Sequence, residues 1–236
     1  MQRQLIAFII TLLSTITLPA MATDNWGQLY NSIAWVSDAR YHGTSRSDGD
    51  GALQASVYWW RPDNTYAGVW LTQVDFNDPG ETSYEVDIYA GKNFYTEHAK
   101  YTVELMYSAF PNNETPGPTY NFYQLKGQVE KTFKALTLTS HISYTPEASY
   151  ESGVAEVFNA QAQYAFSDQL TAHLQLGRRW IELGFDRSYW ELGIDYQWKQ
   201  MSIGLTYVDT NLSQQKCFFT DNCSATVLGE LQFNFY

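Results

Sequence analysis

Cys217 and Cys223 are the only cysteines of the sequence, and they stand close together near its C-terminal end. Two thiols at such a spacing can form a disulfide or contribute to a metal site. A zinc site would need further cysteine or histidine ligands, and none lies nearby. The pattern therefore favours a Cys217–Cys223 disulfide in an oxidising compartment, and the sequence predicts no metal and no cofactor.

His141 and Ser143 stand two positions apart, which in a β-strand places both side chains on one face. A histidine base beside a serine nucleophile is the pairing that acyl hydrolases use, so an outer-membrane lipid hydrolase is one hypothesis. Such an enzyme acts on the lipid around it, so its catalytic residues would have to lie on the face of the strand that contacts lipid. Here the apolar side chains of Leu138, Ile142 and Tyr144 occupy that face. We therefore expect His141 to point inward, and the sequence favours a protein that is not an enzyme.

The segment Asp48-Gly49-Asp50-Gly51 places two carboxylates one residue apart. Calcium loops contain such alternating carboxylates, but they need further oxygen ligands in register, and these do not follow here. Asp-Gly pairs are common in turns. The segment is therefore interpreted as a turn, with calcium binding as the alternative.

A larger set of polar side chains is expected to face one enclosed interior. Acidic residues outnumber basic residues among them, which would attract cations or zwitterions more than anions. The alternative is an ion-pair network that plugs the interior, for instance Glu104 and Glu130 around Lys126. The predicted interior residues are Asp75, Glu85, Asp87, Glu104, Lys126, Glu130, His141, His173, Arg179, Glu191 and Asp195.

Period-2 alternation of apolar and polar residues indicates the elements that must position these side chains. In residues 84–91, Val86 and Ile88 alternate with Glu85 and Asp87. About twelve such segments of roughly 9 to 12 residues follow one another, enough to cross a bilayer at the usual tilt. Their starts lie near residues 29, 52, 66, 83, 100, 121, 136, 156, 170, 189, 201 and 225. The pattern predicts an all-β fold, a transmembrane antiparallel up-and-down β-barrel of about 12 strands.

The connections between these segments support the same fold, because barrels of this kind alternate short periplasmic turns with longer external loops. The expected turns are 61–64, 134–135, 167–169 and 199–200, with a longer exception at 93–98; the expected loops contain 48–51, 111–118, 146–154, 178–188 and 209–224. Aromatic residues also end four of the downward strands. They predict an aromatic girdle at the periplasmic interface.

The N-terminal residues predict export. Arg3 precedes an apolar stretch that ends in Ala20-Met21-Ala22, which is the pattern of a secretory signal peptide. We expect residues 1–22 to be cleaved after Ala22 and residues 23–236 to form one outer-membrane β-barrel.

The composition excludes two classes of protein. The chain contains 14 Lys and Arg against 25 Asp and Glu, a net charge of −11, and it has no basic stripe for nucleic acid. No later segment is apolar over the roughly 20 residues that a spanning helix needs. The 8 Trp, 18 Tyr and 13 Phe residues instead fit a barrel with aromatic girdles.

Several segments resemble the TorF-like porin family over essentially the whole mature chain. They are Val36-Ser37-Asp38, Arg40, Gly43, Ser45, Ser47-Asp48-Gly49-Asp50, Ala52-Leu53-Gln54, and the stretches 66–70, 74–76 and 85–91. The chain departs from the family at Ala39, where members tend to have an aromatic residue, and at His42, where they tend to have arginine. The resemblance implies an outer-membrane barrel and assigns no binding site to this chain.

Together these features predict an outer-membrane porin for diffusion of small polar solutes, with a mild preference for cations. The alternative is a closed barrel with a structural or surface-interaction role, and a lipid hydrolase is a distant third. The expected partners are outer-membrane lipids, small polar solutes and the barrel-assembly machinery.

Overall fold

A computed structural model describes residues 26–77, 82–111, 113 and 119–235. The predicted signal peptide, residues 1–22, and most of the loop 111–118 lie outside these residues. The strands are β1 (Gln28–Val36), β2 (Arg40–Tyr41), β3 (Thr44–Ser45), β4 (Ala52–Trp60), β5 (Thr65–Gln73), β6 (Tyr84–Tyr95), β7 (Lys100–Ala109), β8 (Phe122–Phe133), β9 (Leu136–Thr145), β10 (Ala155–Ala165), β11 (Leu170–Ile181), β12 (Arg187–Trp198), β13 (Met201–Thr210) and β14 (Thr226–Phe235), with a 3-10 turn at Gln214–Cys217.

Twelve strands, β1 and β4 to β14, form a closed antiparallel barrel. Each strand pairs with its neighbours in the sequence, and β1 closes the ring by pairing with both β4 and β14. Closure leaves no unpaired strand edge, as a spanning sheet requires. The prediction of a barrel of about 12 strands is confirmed. None of the described residues forms a helix long and apolar enough to cross a membrane.

The alternation seen in the sequence separates two environments. In β6, Ile88 is exposed on the outer wall, whereas Glu85, three residues earlier, is buried on the inner wall. Leu105 in β7 and Leu192 in β12 are likewise exposed outside the barrel. An apolar outer surface of this kind is stable when it faces lipid, because exposure of large apolar patches to water is unfavourable.

Long and short connections alternate between the two ends of the barrel, which we call the loop end and the turn end. The turns are 61–64, 96–99, 134–135, 166–169 and 199–200, and the loops are 37–51, 74–83, 110–121, 146–154, 182–186 and 211–225. The prediction of a longer connection at 93–98 is wrong, because Asn93 pairs with Thr102 inside the sheet. The predicted loop 178–188 is also mostly strand, since Arg178 pairs with Ser188.

Tyrosine rings lie over glycines on the inner wall. Tyr189 is directly opposite Gly177 in the neighbouring strand, and a Cβ built on Gly177 would lie 2.0 Å from Cζ of Tyr189. Tyr66 and Gly91 form a second such pair, in which the Cβ would meet the tyrosine ring at 2.5 Å. Because the glycines have no side chain, the tyrosine rings can lie flat against the wall. Rings that projected into the lumen would occupy more of its interior.

Gly177→Ala should destabilise the barrel by about 1 to 3 kcal/mol, because the added methyl overpacks the wall. Tyr189 cannot move aside easily, since it is 1% exposed and its hydroxyl accepts a 3.1 Å hydrogen bond from Asn159 Nδ2. The measurement is the urea midpoint of unfolding in phospholipid vesicles. Gly229→Ala is the control, because nothing lies within 4 Å of its added Cβ. Equal midpoints for the two variants would contradict the prediction.

Candidate functional site in the barrel lumen

The first long connection, residues 37–51, folds across the loop end of the lumen and is called here the lumen hairpin. It contains β2 and β3, which pair with each other. Its tip reaches the wall of β12 and β13, where a Cβ on Gly43 would lie 2.4 Å from Thr210 and 2.9 Å from Tyr189. Arg187 of β12 donates a 3.1 Å hydrogen bond to the carbonyl of Tyr41. The hairpin therefore narrows the entrance of the barrel.

Asp38 holds the base of the lumen hairpin together. Its carboxylate accepts hydrogen bonds from Arg40 Nε at 2.7 Å, from Ser45 Oγ at 2.6 Å and from Ser47 Oγ at 3.2 Å. Arg40 also donates to the carbonyl of Ser224 in the last loop, at 2.9 Å. Because the carboxylate and its partners are nearly all buried, this network fixes the hairpin's position relative to the wall.

The Asp-Gly segment forms a turn at the outer edge of the lumen hairpin. Asp48 and Gly49 have left-handed backbone angles, which asparagine, aspartate and glycine adopt most readily. The Asp48 carboxylate accepts hydrogen bonds from the side-chain amides of Asn77 and Asn222, at 2.6 and 3.0 Å. Within the described ranges, no group of three or more His, Cys, Asp or Glu residues could hold a metal ion.

The predicted disulfide between Cys217 and Cys223 is confirmed and lies in the loop between β13 and β14. Both cysteines are buried. The carbonyl of Cys223 accepts a 3.3 Å hydrogen bond from Thr210 Oγ1 at the end of β13. The disulfide thus fixes the loop beside the tip of the lumen hairpin.

Arg46 anchors the lumen hairpin to the barrel wall by an ion pair with Glu85 of β6. The side chain of Glu85 is 2% exposed and that of Arg46 is 14% exposed. The Arg46 guanidinium also lies 3.9 Å from the centre of the Tyr41 ring, a cation–π distance. The anchor is therefore an ion pair largely removed from water.

Beneath the lumen hairpin lies an acidic cavity of about 360 Å³. Hairpin residues form its roof, and the walls come from β4 to β6 on one side and β11 to β14 on the other. Its carboxylates outnumber its basic groups, and Trp70 adds an aromatic face. The wall side chains with polar or aromatic groups are Gln54, Trp70, Thr72, Glu85, Asp87, His173, Glu191, Asp195, Thr206 and Glu230.

Five of the predicted interior residues meet in this acidic cavity, namely Glu85, Asp87, His173, Glu191 and Asp195. His173 Nδ1 lies 2.8 Å from Asp195 Oδ2. The side chain of Asp195 is still 45% exposed, although it points into the barrel. Water therefore reaches this part of the lumen.

Glu104 and Lys126 form an ion pair of 2.7 Å nearer the turn end, where Glu104 also accepts a hydrogen bond from Tyr66. Glu130 does not join them, because it pairs with Lys100 at 2.9 Å. The predicted network of both glutamates around Lys126 is thus wrong for Glu130.

The remaining predicted residues lie apart from the acidic cavity. Asp75 lies beyond the end of β5, and its Oδ1 accepts a hydrogen bond from the backbone N–H of Asn77. His141 shares the inner face of β9 with the buried Ser143, while Ile142 between them is exposed outside. Arg179 lines a second, smaller pocket.

Several lumen residues were not predicted. Tyr41 and Arg46 belong to a loop, where no period indicates which side chains point inward. Glu230 could have been found, because it alternates with the outward Gly229 and Leu231 in β14. Trp70 was not predicted because an aromatic residue in a strand is usually assigned to the lipid side.

Aromatic side chains fill part of the lumen toward the turn end. Tyr58 lies 5.5 Å from Tyr66 and 6.5 Å from Tyr89, measured between ring centres. Trp60 stacks on Tyr66 at 6.1 Å with 9° between the planes. These rings occupy the wall of β4 to β6.

The closed barrel and its charged, partly hydrated lumen define a porin-like β-barrel. Among solved structures, the "KdgM porin" is similar with a TM-score of 0.59 at 8% identity, covering 89% of this chain and 100% of that chain. The "NanC porin" is similar with a TM-score of 0.56 at 9% identity, covering 89% of this chain and 100% of that chain. At these identities the similarity shows the fold alone.

The chain belongs to the family described as "Bacterial protein of unknown function (Gcw_chp)", whose profile matches residues 22–235. No curated protein matches the sequence. The family description names no solute, and the resemblance to the TorF-like porins stays a prediction.

Proposed function

We propose that the protein is an outer-membrane channel through which small polar solutes diffuse, with a mild preference for cations. The hydrated acidic cavity in the lumen carries the proposal. Eight-stranded barrels are filled by their own side chains, and barrels of sixteen or more strands leave a wide channel. In this twelve-stranded barrel, exposed inward carboxylates such as Asp195 and Glu230 indicate that the interior is not completely filled.

The cation preference follows from the charges around the cavity. Asp87, Glu191 and Glu230 form no ion pair among the residues that the structure describes. The cavity wall is a low-dielectric surface, so unpaired carboxylates raise the local concentration of cations. Small cations and zwitterions are therefore the favoured solutes.

The proposed location is the outer membrane, after export and cleavage of residues 1–22. The apolar outer wall supports this location, because it needs lipid as its solvent. The barrel would then contact outer-membrane lipids and require the barrel-assembly machinery for insertion. Mass spectrometry of the mature protein should find Thr23 at its N-terminus.

A closed barrel with a structural or surface-interaction role is the second candidate, favoured by the lumen hairpin that crosses the entrance. Conductance of the purified protein in a planar bilayer separates the two functions. We do not propose an enzyme, since His141 and Ser143 share the inner wall rather than the lipid side, and a lipase assay tests that choice directly.

The variant Asp87→Asn, Glu191→Gln, Asp195→Asn should lower the potassium-to-chloride permeability ratio by about a factor of two or more, because it removes carboxylates that attract cations. The salt dependence of the ratio should weaken as well, since these charges are what salt screens. Glu85 is left intact because it anchors Arg46. The measurement is the reversal potential in a salt gradient.

The matched control removes three exposed carboxylates outside the lumen, in Glu97→Gln, Glu156→Gln, Asp168→Asn. Its permeability ratio should equal that of the wild type. If the lumen variant and the control give the same ratio, the acidic cavity does not set selectivity.

A further inference from the structure

A second lumen pocket lies on the other side of Tyr41 and Arg46 from the acidic cavity, since these two hairpin residues line both. It has a volume of about 20 Å³, which is room for roughly one water-sized group. Its polar lining consists of Tyr41, Arg46, Gln124, Thr145, Ser149 and Arg179. This lining contains two guanidinium groups and no carboxylate.

Arg179 points into this pocket without a partner. Among the described residues, none accepts a hydrogen bond from its side chain or forms an ion pair with it. Its neighbour Arg178 faces outward and contacts Ser188 and Asp186, at 3.1 and 3.5 Å. A guanidinium directed inward and left unpaired is unfavourable unless a counter-charge joins it.

A second arginine increases the positive charge. Arg187 stands directly opposite Arg179 in the β11–β12 ladder, and like charges in opposite positions of a sheet repel each other. Nε of Arg187 is buried and has no hydrogen-bond partner among the residues that the structure describes. Glu85, the carboxylate that pairs with Arg46, lines the acidic cavity and not this pocket.

The positive charge of these arginines affects the pKa of His42 in the lumen hairpin. Burial, Arg187, Arg179 and Arg46 hold the pKa of the His42 imidazole well below its ordinary value of 6.5. The imidazole therefore adds no charge at neutral pH, and its Nδ1 is buried without a partner among the described residues. The surroundings of the hairpin tip thus carry positive charge that the nearby protein groups leave uncompensated.

Neutral donors complete the second pocket. Gln124 Nε2 lies 3.4 Å from Tyr41 Oη and 3.5 Å from Thr145 Oγ1, which are long distances for hydrogen bonds. These groups can therefore turn toward a ligand at little cost. Guanidinium, amide and hydroxyl donors around one water-sized space are the surroundings that an anion needs.

We propose that this pocket binds one small monovalent anion between Arg179 and Arg46, either a halide ion or a carboxylate that places one oxygen in the pocket. Gln124 and Thr145 donate the neutral hydrogen bonds. The bound anion offsets the repulsion among the arginines and so holds the lumen hairpin in place. The small volume excludes a tetrahedral sulfate. This site is separate from the acidic cavity, so its occupancy does not depend on whether the barrel conducts.

Chloride is the probe, and the readout is the ³⁵Cl NMR line width of sodium chloride added to the refolded barrel in non-ionic detergent. The wild type should broaden the line beyond a protein-free micelle blank. Arg179→Gln should reduce the excess width several-fold, because it removes the unpaired guanidinium. Arg178→Gln should leave it unchanged, since it removes the same charge from the outer wall one residue away.

Thr145→Val should also reduce the excess ³⁵Cl line width, because it removes a hydroxyl donor while keeping the size of the side chain and every arginine. If Arg179→Gln does not fold, this variant alone tests the anion site. Formate that narrows the chloride line shows that carboxylates share the site, whereas no effect of formate assigns the site to halides. Absence of excess width in the wild type, or equal widths for Arg178→Gln and the folded lumen variants, overturns the proposal.

Discussion

Arg46→Gln is expected to raise the single-channel conductance several-fold in planar bilayers, by releasing the lumen hairpin from the barrel wall. The substitution leaves the buried Glu85 carboxylate without its cation, and breaking one side of a buried pair costs about 3 to 5 kcal/mol. The twelve-stranded ladder does not include the hairpin. The strain should therefore be relieved by movement of the hairpin rather than by unfolding of the barrel.

Glu85→Gln should open the channel in the same way, because it leaves the Arg46 guanidinium unpaired. The double variant should conduct less than either single variant, since it removes both charges and leaves none uncompensated. Glu130→Gln is the control: it breaks the partly exposed pair with Lys100, and pairs in contact with water contribute about 0 to 1 kcal/mol.

Unchanged conductance in both single variants would show that the lumen hairpin is not the barrier. If neither the wild type nor the variants conduct, the closed barrel becomes the better description. A larger conductance in Glu130→Gln than in Arg46→Gln would place the barrier near the turn end.

The strands of the barrel could be predicted closely from the sequence, with every start within two residues of its position in the structure. The reason is physical: lipid lies on one side of each strand and the lumen on the other, so the apolar residues alternate strictly. Val86 and Ile88 in β6 and Leu192 and Ile194 in β12 keep this alternation in the structure, so both strands could be recognised from the sequence.

Pairing between strands was harder to predict, because alternation gives the face of a residue and not its partner. Lys126 and Glu130 lie on the same face of β8, but four residues of extended strand separate them by about 13 Å. The register places Glu104 opposite Lys126 and Lys100 opposite Glu130. Two separate ion pairs result, rather than one network.

The lumen hairpin could not be predicted, because its residues follow no period. Ser47 and Asp38 are buried there through hydrogen bonds that depend on the whole loop. The same holds for the end of β11, where Arg178 on the outer wall interrupts the apolar pattern. A long arginine side chain can keep its charge in water while its stem covers apolar surface, so the strand continues past it.

Leu192→Arg should destabilise the barrel by about 2 to 4 kcal/mol in phospholipid vesicles, the cost of an arginine facing lipid near the middle of a membrane. Leu192 lies at the centre of β12, is 58% exposed on the outer wall, and stands opposite Leu174 and Tyr207 in the adjoining strands. No carboxylate on these partners can pair with the new guanidinium. The measurement is the urea midpoint of folding into the vesicles.

Leu228→Arg is the matched control, since the same substitution is made on the inner wall. Leu228 lines the acidic cavity together with Glu230 and Glu191, so its new guanidinium meets water and carboxylates instead of lipid. The folding midpoint should change little, and the potassium-to-chloride permeability ratio should fall because a positive charge is added to the cavity. If Leu228→Arg is the more destabilising of the two, the inner and outer faces are exchanged, because a shift of one residue moves every side chain of a strand to the other face.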